Sequence, residues 1–314
     1  MTDDVITKIS IIIPMYNEAD NLPMLYESIG KQIVTPDVVM SEVIAVDNGS
    51  SDTSVEISKQ SCTHVFNRPD DTIADLRNYG ARHSSGDILI FMDADCVLGR
   101  DVVMNVVSFL KDSGAAAVGP DGLKPIGNST WVQNTWYFHT RMTSSEKQSM
   151  EVDNLSSGFF AIRADAFSTV GGFDGSLSVG EDTDISRKLK DLNHTLIRSS
   201  TLNIYNSGHP ATIRKFMKRE YWHGDSFRHI LIHKKLEPLT LYFFVNAFAV
   251  AALIVMLARG FYGMSFVLLV AVCSVPLAKA VKKAGQINSE IGKLFFIYLL
   301  YVNSRSAALF KIKG

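Results

Sequence analysis

"ILIFMDADC", Ile88 to Cys96, runs five apolar residues into two carboxylates one residue apart. A short unbroken apolar run, entered through Ser84-Ser85-Gly86 and followed by Gly99, predicts a strand covered on both faces, as in parallel sheets flanked by helices. Such sheets place ligands beyond the C-terminal ends of their strands. On extended backbone the carboxylates of Asp93 and Asp95 share a side and can hold one hard cation, the companion of a phosphorylated ligand. A turn whose aspartates bond nearby backbone N–H groups accounts for the same letters. DxD is also short enough to arise by chance.

Upstream, "KISIIIP" reads as a strand closed by Pro14, and "EADNLPMLYESIGKQI" carries Leu22, Leu25, Ile29 and Ile33 at helical spacing. "SEVIAVDNGSSDTS" predicts a second strand over Glu42 to Val46 that stops at Asp47, with Ser51 or Asp52 placed to cap the next helix. A strand "HVFN" and a helix "TIADLRNYGARHSS" follow. Alternating strands and helices are the signature of βαβ units and a parallel sheet, so Pro14 to Glu18, Asp47 to Ser51 and Asp93 to Asp95 are delivered to one edge. One carboxylate beyond a strand is a turn residue; acidic strand ends in succession imply a site. There Asp47 can accept from a base or ribose, and Asp93 with Asp95 can take a metal and hence a diphosphate. Arg77 and Asn78 reach the same crevice or form a solvated helix face. No GxGxxG follows the first strand and no GxxxxGK[ST] occurs, so dinucleotide and P-loop readings lose their usual support.

The two ends of the chain differ. Up to about Glu237 the composition is globular; from Leu239 onward it turns apolar in blocks. Leu239 to Ala258 is twenty residues without a charge, and Phe261 to Ala278 supplies eighteen more, each about what ~30 Å of hydrocarbon requires. The connection Arg259-Gly260 is so short that the two must form a hairpin. Lys234 and Lys235 precede it, Lys279, Lys282 and Lys283 follow it, and only Arg259 sits at its tip, which places the N-terminal domain on the cytoplasmic side. A third block, 291–311, is broken by Asn303, Ser304 and Arg305 and reads as an interfacial helix better than as a third span. Buried core helices of a soluble protein are the competing reading. The expected division is therefore 1–235 and 236–314. Net charge is −1, so nothing calls for nucleic acid, and three cysteines without paired spacing suit a reducing compartment. The acidic N-terminus is not a signal peptide, so sequons such as Asn128-Ser129-Thr130 carry no weight.

These residues resemble the inverting family 2 glycosyltransferases of the GT-A fold over roughly Lys8 to Trp222. "SIIIPMYNEADNL" is similar to the opening nucleotide-binding motif, "VDNGSSDTS" to the DDGSxD element, and "DLRNYGARHSSGDILIFMDADC" to the ARNxG and DxD block. "GFFAIRADAFSTVGGFD" and "GEDTDISRKL" resemble the acceptor-side segment and ED motif. The resemblance implies an α/β GT-A domain ahead of the membrane hairpin, a hexosyltransferase-type enzyme, a nucleotide-sugar donor with UDP favoured, Mg²⁺ or Mn²⁺, and transfer with inversion. It assigns Pro14, Tyr16 and Glu18 to the nucleoside pocket, Asp47 to the base, and Asp93 and Asp95 to the metal, with His209 of "YNSGHP" a looser metal or phosphate contact. Asp182 is its general base, and Glu181 is the neighbour most easily mistaken for it. Asn48 stands where the second acid of DDGS is usual, and the Gln-x-x-Arg-Trp signature of processive members is absent, which favours a single addition.

The chemistry asks for the same parts. A sugar hydroxyl is a poor nucleophile at neutral pH and needs a positioned carboxylate, while the departing diphosphate gains charge that a cation stabilises. Asp182, following Gly180, also reads as a helix N-cap. The membrane hairpin points to a lipid-linked or membrane-proximal acceptor, with transfer to a polyprenyl phosphate as the alternative, and to the inner membrane if the source is bacterial. A nucleotidyltransferase lacks its glycine-rich basic loop here, and a non-catalytic nucleotide-binding membrane protein is the third reading. Trp131, Trp136, Tyr137 and His139 suit sugar stacking or helix packing; His223 and Asp225 are equally open to acceptor contact or packing.

Overall fold

Strand β1 (Thr7–Met15) is buried at every position except Lys8, as a strand covered on both faces must be. The computed structural model describes residues 6–141, 148–177, 179–224, 238–285 and 290–309; Asp225, Lys234, Lys235 and positions 310–311 of the expected third block lie outside them. In chain order the elements after β1 are α1 (Leu22–Gly30), β2 (Val38–Asp47), α2 (Ser54–Ser61), β3 (His64–Asn67), α3 (Ile73–Arg82), β4 (Ile88–Met92), β5 (Cys96–Leu98) and α4 (Val102–Asp112). Then come β6 (Ala117–Pro120), β7 (Lys124–Pro125), α5 (Trp131–Thr140), β8 (Ser149–Glu151), β9 (Phe159–Arg163), α6 (Ala164–Thr169), α7 (Glu181–Asp191), β10 (Leu196–Ser199) and β11 (Ile204–Asn206). The chain closes with α8 (Ile213–Gly224), α9 (Pro238–Ala258), α10 (Tyr262–Ala284) and α11 (Glu290–Ala308).

Two compact units result, Met1–Ile126 with Ser144–Gly208 and Gly127–Thr143 with His209–Gly314. The division falls at His209 instead of the expected 235, and a segment from mid-chain joins the C-terminal unit. The physical reason is apolar packing: Val132 and Trp136 of α5, Phe216 of α8 and Ile297 of α11 form one buried cluster.

The first unit is built on an eight-stranded sheet of order β3-β2-β1-β4-β9-β6-β10-β8. The first four strands are parallel, as expected. Beyond them the sheet is mixed, because β9 runs antiparallel to both β4 and β6. A three-stranded sheet, β5-β11-β7, was not expected at all. Strand order reverses between β1 and β4, so the loops after these two strands flank the switch point where open α/β sheets bind ligands. Alternation along β1 sends Ile11 and Ile13 to a cluster with Leu22, Leu25 and Val106, and Ile12 to another with Phe91, Phe160 and Phe173.

In the second unit, α9 and α10 each carry a stretch, Leu241–Ala258 and Tyr262–Ala284, long and apolar enough to cross a bilayer, with mean hydropathy 2.4 and 2.1 and only 17% and 22% of it buried. Core helices of a soluble protein would be covered; here Phe248, Ile254, Phe266 and Val267 are exposed. Helix α10 runs past the expected end at 278, carries Lys282 and Lys283 in its last turn, and stops at Gly285 in the left-handed region. Helix α11 continues unbroken through Asn303-Ser304-Arg305, because Asn303 bonds back to the Leu299 carbonyl at 2.8 Å and Ser306 accepts from Asn246 at 3.1 Å. It packs against α8, α9, α10 and α5, with Ser304 buried and Asn303 and Arg305 half-buried.

Gly80 of α3 lets that helix touch β1, since a Cβ there would stand 2.5 Å from Ile12 Cγ2. Glycine to alanine in a helix ordinarily stabilises by up to ~1 kcal/mol. Gly80→Ala is expected to destabilise instead, by about 1–3 kcal/mol from overpacking, read as a lower denaturant midpoint.

Candidate active site

The loops after β1 and β2 are laced together. Asn17 takes a left-handed backbone (φ 54°), its Oδ1 accepts from Ser51 N at 2.8 Å, and its own N–H donates to Ser50 Oγ at 2.9 Å. Glu18 N donates to Ser54 Oγ at 2.8 Å. Asp47 is 1% exposed; its Oδ2 accepts from Gly49 N and Ser50 N, both at 2.9 Å, and its Oδ1 from Ser50 Oγ. Its carboxylate thus builds the turn that presents this loop. The residue flanking α2 is Thr53, with no side-chain cap bond, so neither Ser51 nor Asp52 is the N-cap; Asp52 Oδ1 accepts instead from Ser54 N at 3.0 Å. Pro14 is buried in the sheet opposite Val46, and Tyr16, just past the strand, is 58% exposed.

At the end of β4 the backbone does turn, with Asp93 N bonded to Gly158 O and Cys96 N to Asp93 O, both at 3.1 Å. The carboxylates look elsewhere. Asp93 Oδ1 accepts from Arg77 Nη2 at 2.8 Å, and Asp95 Oδ1 from Asn206 Nδ2 at 2.6 Å. Asp93 Oδ2 and Asp95 Oδ2 accept no hydrogen bond from the described residues. Space beside Asp95 Oδ2 exists because position 208 is glycine: a Cβ there would stand 1.9 Å from that oxygen. Burial, then the charges of Asp93 and Glu18, push the Asp95 carboxyl up to about 7. Burial and the charges of Asp93 and Asp52 raise Glu18, against the bond from Asn21, and burial raises Asp93 despite Arg77. Glu18, expected at the nucleoside, is therefore electrostatically a member of the acidic group. Hard oxygens without a donor among the described residues, on partly exposed side chains in a field short of positive charge, fit a divalent cation, which Asp93 and Asp95 would hold. His209 falls in the other unit, where its carbonyl accepts from Gln133 Nε2 at 3.0 Å.

Arg77 is not on a solvated helix face. Its side chain is 2% exposed, with Nη1 on Glu181 Oε1 at 2.7 Å and Nη2 on Asp93 Oδ1, and its guanidinium lies 5.6 Å from the Phe173 ring centroid. Both ends of the fork are held by carboxylates of the protein. Asn78 is also committed: it bonds both the carbonyl and the N–H of Phe173, at 2.8 and 3.0 Å, fixing the turn through Gly172. Glu181 accepts a further bond from Ser157 Oγ at 2.9 Å. Helix α7 begins at Glu181, with Gly180 (φ 90°) as N-cap, so Asp182 is the second helical residue and not the cap. Asp182 Oδ1 accepts from Thr183 N at 2.7 Å and Oδ2 from Ser157 N at 3.3 Å. Burial and then the neighbouring Glu181 charge raise its carboxyl above the usual aspartate range. Of the pair, Glu181 carries the ion pair with Arg77, while Asp182 accepts from the neutral donors of Ser157 and Thr183.

Sequence reading missed Asn206, although "YNSGHP" drew attention to its neighbour His209; only the β11–β5 pairing brings Asn206 beside Cys96. Trp136 and His139 pack within the second unit, Trp136 against Phe216 at 5.1 Å between ring centroids and His139 Nδ1 on the Tyr298 hydroxyl at 2.7 Å.

With two acidic strand ends at the switch point and a second acidic pair at the mouth of α7, the comparison with known proteins is direct. Residues 10–171 match the family described as Glycosyl transferase family 2. The chain belongs to that family. It is 30% identical over 195 residues to glycosyltransferase AglE of Haloferax volcanii, covering 60% of this chain and 63% of that one. It is 37% identical over 128 residues to an undecaprenyl-phosphate 4-deoxy-4-formamido-L-arabinose transferase of Yersinia enterocolitica, covering 36% of each. The chain thus spans less than two thirds of these relatives' lengths. In fold it is similar to mannosyltransferase PcManGT of Pyrobaculum calidifontis, solved with GDP-Man and Mn²⁺ (TM-score 0.66, 18% identity, 98% of this chain and 88% of that one). It is also similar to S. aureus TarS 1-349 with UDP-GlcNAc (TM-score 0.53, 16% identity, 96% and 90%). The family 2 fold, α/β with a mixed sheet, is shared throughout.

Two outcomes follow. Arg77→Ala strands Glu181 as an uncompensated buried charge and should cost about 3–5 kcal/mol, with the joint variant Arg77→Ala/Glu181→Gln losing much less in chemical denaturation. Asp95 stays neutral in the cation-free fold up to about pH 7, while in the unfolded chain it ionises near pH 4, so the fold loses stability as pH rises between the two. Mn²⁺ or Mg²⁺ should therefore raise Tm more at pH 8 than at pH 5, and Asp95→Asn should erase the difference.

Proposed function

We propose that this glycosyltransferase moves a single sugar, with inversion, from a nucleotide-sugar donor to a lipid-linked acceptor at the cytoplasmic face of a membrane. The observation that carries the reading is the separation of roles between two carboxylate pairs bridged by Arg77. On one side Asp93 and Asp95 keep free oxygens in a field that wants a cation. On the other, Glu181 is fixed by Arg77 and Ser157 while Asp182 stands beside it with a raised proton affinity. With a hydroxyl acceptor Asp182 takes the proton of the attacking oxygen; its raised pKa makes it a better base than an exposed aspartate. A divalent cation, when bound, would neutralise charge gathering on the departing diphosphate. One base and one charge sink on separate elements suit a single displacement.

Structures of the same fold are complexed with GDP-Man and with UDP-GlcNAc, so the donor panel must span both nucleotides, although a UDP-sugar is the donor we favour. The exposed apolar hairpin supports a membrane acceptor, and Lys282 with Lys283 at its end against Arg259 at its tip supports the cytoplasmic side. The undecaprenyl-phosphate named for several relatives favours a polyprenyl phosphate as that acceptor.

Asp182 discriminates between acceptors. A hydroxyl acceptor depends on the base, so Asp182→Asn should cut kcat by about 10²–10⁴-fold. A phosphate monoester, with its second pKa near 6, is already ionised at neutral pH and should lose far less. Full-length protein in lipid nanodiscs, supplied with labelled nucleotide sugars and either acceptor, reads the difference. Transfer that survives Asp95→Asn undiminished would defeat the metal-site reading.

A further inference from the structure

The second unit holds a buried ion cluster that the transfer reaction does not use. Glu220 of α8 is fully buried, and two guanidiniums converge on it: Arg219 places Nε and Nη2 on Oε1 at 3.0 and 2.8 Å, and Arg305 of α11 places Nε on Oε2 at 2.8 Å. The helices can meet this closely because position 224 is glycine, where a Cβ would lie 2.6 Å from Ala308 Cβ and 2.7 Å from the Arg305 carbonyl. Burial alone would raise the Glu220 carboxyl; Arg305 and Arg219 hold it below its ordinary value, so the carboxylate is ionised and the trio carries one excess positive charge.

More positive charge lies close by. Arg219 covers the Trp136 ring at 4.8 Å and Arg305 the Tyr301 ring at 4.4 Å, which orients both guanidiniums. Burial, then Lys283 and Lys279, with Arg305 and against Glu220, drive the neighbouring His139 down to about 4, so at neutral pH it adds no charge of its own. Arg219 Nη1 and both terminal nitrogens of Arg305 have no acceptor among the described residues, and the two side chains are 26% and 19% exposed, open enough to be reached. Lys279 lies on α10 just beyond the uncharged stretch that ends at Ala278.

An orphan cationic fork backed by aromatic rings at the end of an apolar hairpin has the chemistry of an anionic headgroup site. We propose that Arg219, Arg305 and Lys279 bind the phosphate of a membrane lipid. A compact phosphate, with oxygens spread over its surface, can take the free fork nitrogens that the planar Glu220 carboxylate leaves over. The proposal rests on reading the hairpin as membrane-embedded; if that reading failed, the chain would stay in the aqueous fraction of a flotation gradient, a result separate from any binding measurement.

The test uses the full chain in neutral detergent and measures Kd for a long-chain prenyl alcohol, its monophosphate, and phosphatidylglycerol. The monophosphate should bind at least about ten-fold more tightly than the alcohol. Lys279→Gln should reduce that preference about five-fold, and raised salt should erode it. Arg219→Lys keeps a charge beside Glu220 while losing the fork, and should also weaken binding. Phosphatidylglycerol binding as tightly as the monophosphate would identify the ligand as bulk anionic lipid; a clear preference for the monophosphate would identify a carrier lipid. Equal affinity for alcohol and monophosphate, or full preference kept by both Lys279→Gln and Arg219→Lys, would overturn the site.

Discussion

A single buried guanidinium joins the two acidic halves of the candidate active site. Arg77 leaves water almost entirely to lie between Asp93 and Glu181, and such desolvation is offset only when each end of the fork finds a carboxylate in good geometry. The consequence is positional. Asp93 belongs to the loop after β4 and Glu181 to the start of α7, 88 residues apart, and neither can drift without breaking a charge-assisted bond. Ser157 extends the same lattice to Asp182 through its backbone N–H and to Glu181 through its hydroxyl. Glu181, beside Asp182, is thus held by one residue, Arg77, that also bonds Asp93.

That arrangement leaves the cation-side acids poorly satisfied. Arg77 compensates Asp93 in part, while among the described residues Asp95 accepts from the Asn206 amide and weakly from the Cys96 thiol, and Glu18 from the Asn21 amide. Raised proton affinity is the signature of charge held ready for something absent, and it gathers here on residues the sheet topology brings to the switch point. Stability is given up locally, and under the function proposed above this is the field that a cation and a diphosphate would meet. Asp47 is the contrast. Its acceptors are satisfied by its own turn, and its contribution is to shape the loop that faces the crevice.

What could be read beforehand follows how local the information is. The strand before Asp93, the alternation with helices and the apolar hairpin are local patterns, and the structure reproduces them. The antiparallel insertion of β9 and the three-stranded sheet were not legible, because pairing partners are long-range and leave no period in the sequence. For Arg77 and Asn78 the crevice and a solvated helix face stay open in the sequence, since nothing near them announces Glu181 104 residues away or Phe173 95 residues away. Asn206 was passed over for His209 for the same reason. The unit boundary was misplaced because composition changes at the hairpin, whereas packing changes earlier, where α5 and α8 present Trp136 and Phe216 to α11.

The exposed hairpin also changes what the catalytic unit must accomplish. A carrier confined to a bilayer and an enzyme confined to the same bilayer meet at an effective concentration far above that of the same molecules in bulk water. An acceptor site under those conditions needs little affinity of its own, and a tight one would retard product release. This fits a first unit in which built features are concentrated around the acidic strand ends and the Arg77 lattice. It also explains why a buried, aromatic-backed ion cluster would sit in the unit that carries the hairpin: lipid affinity placed there contributes to encounter without burdening the chemical step.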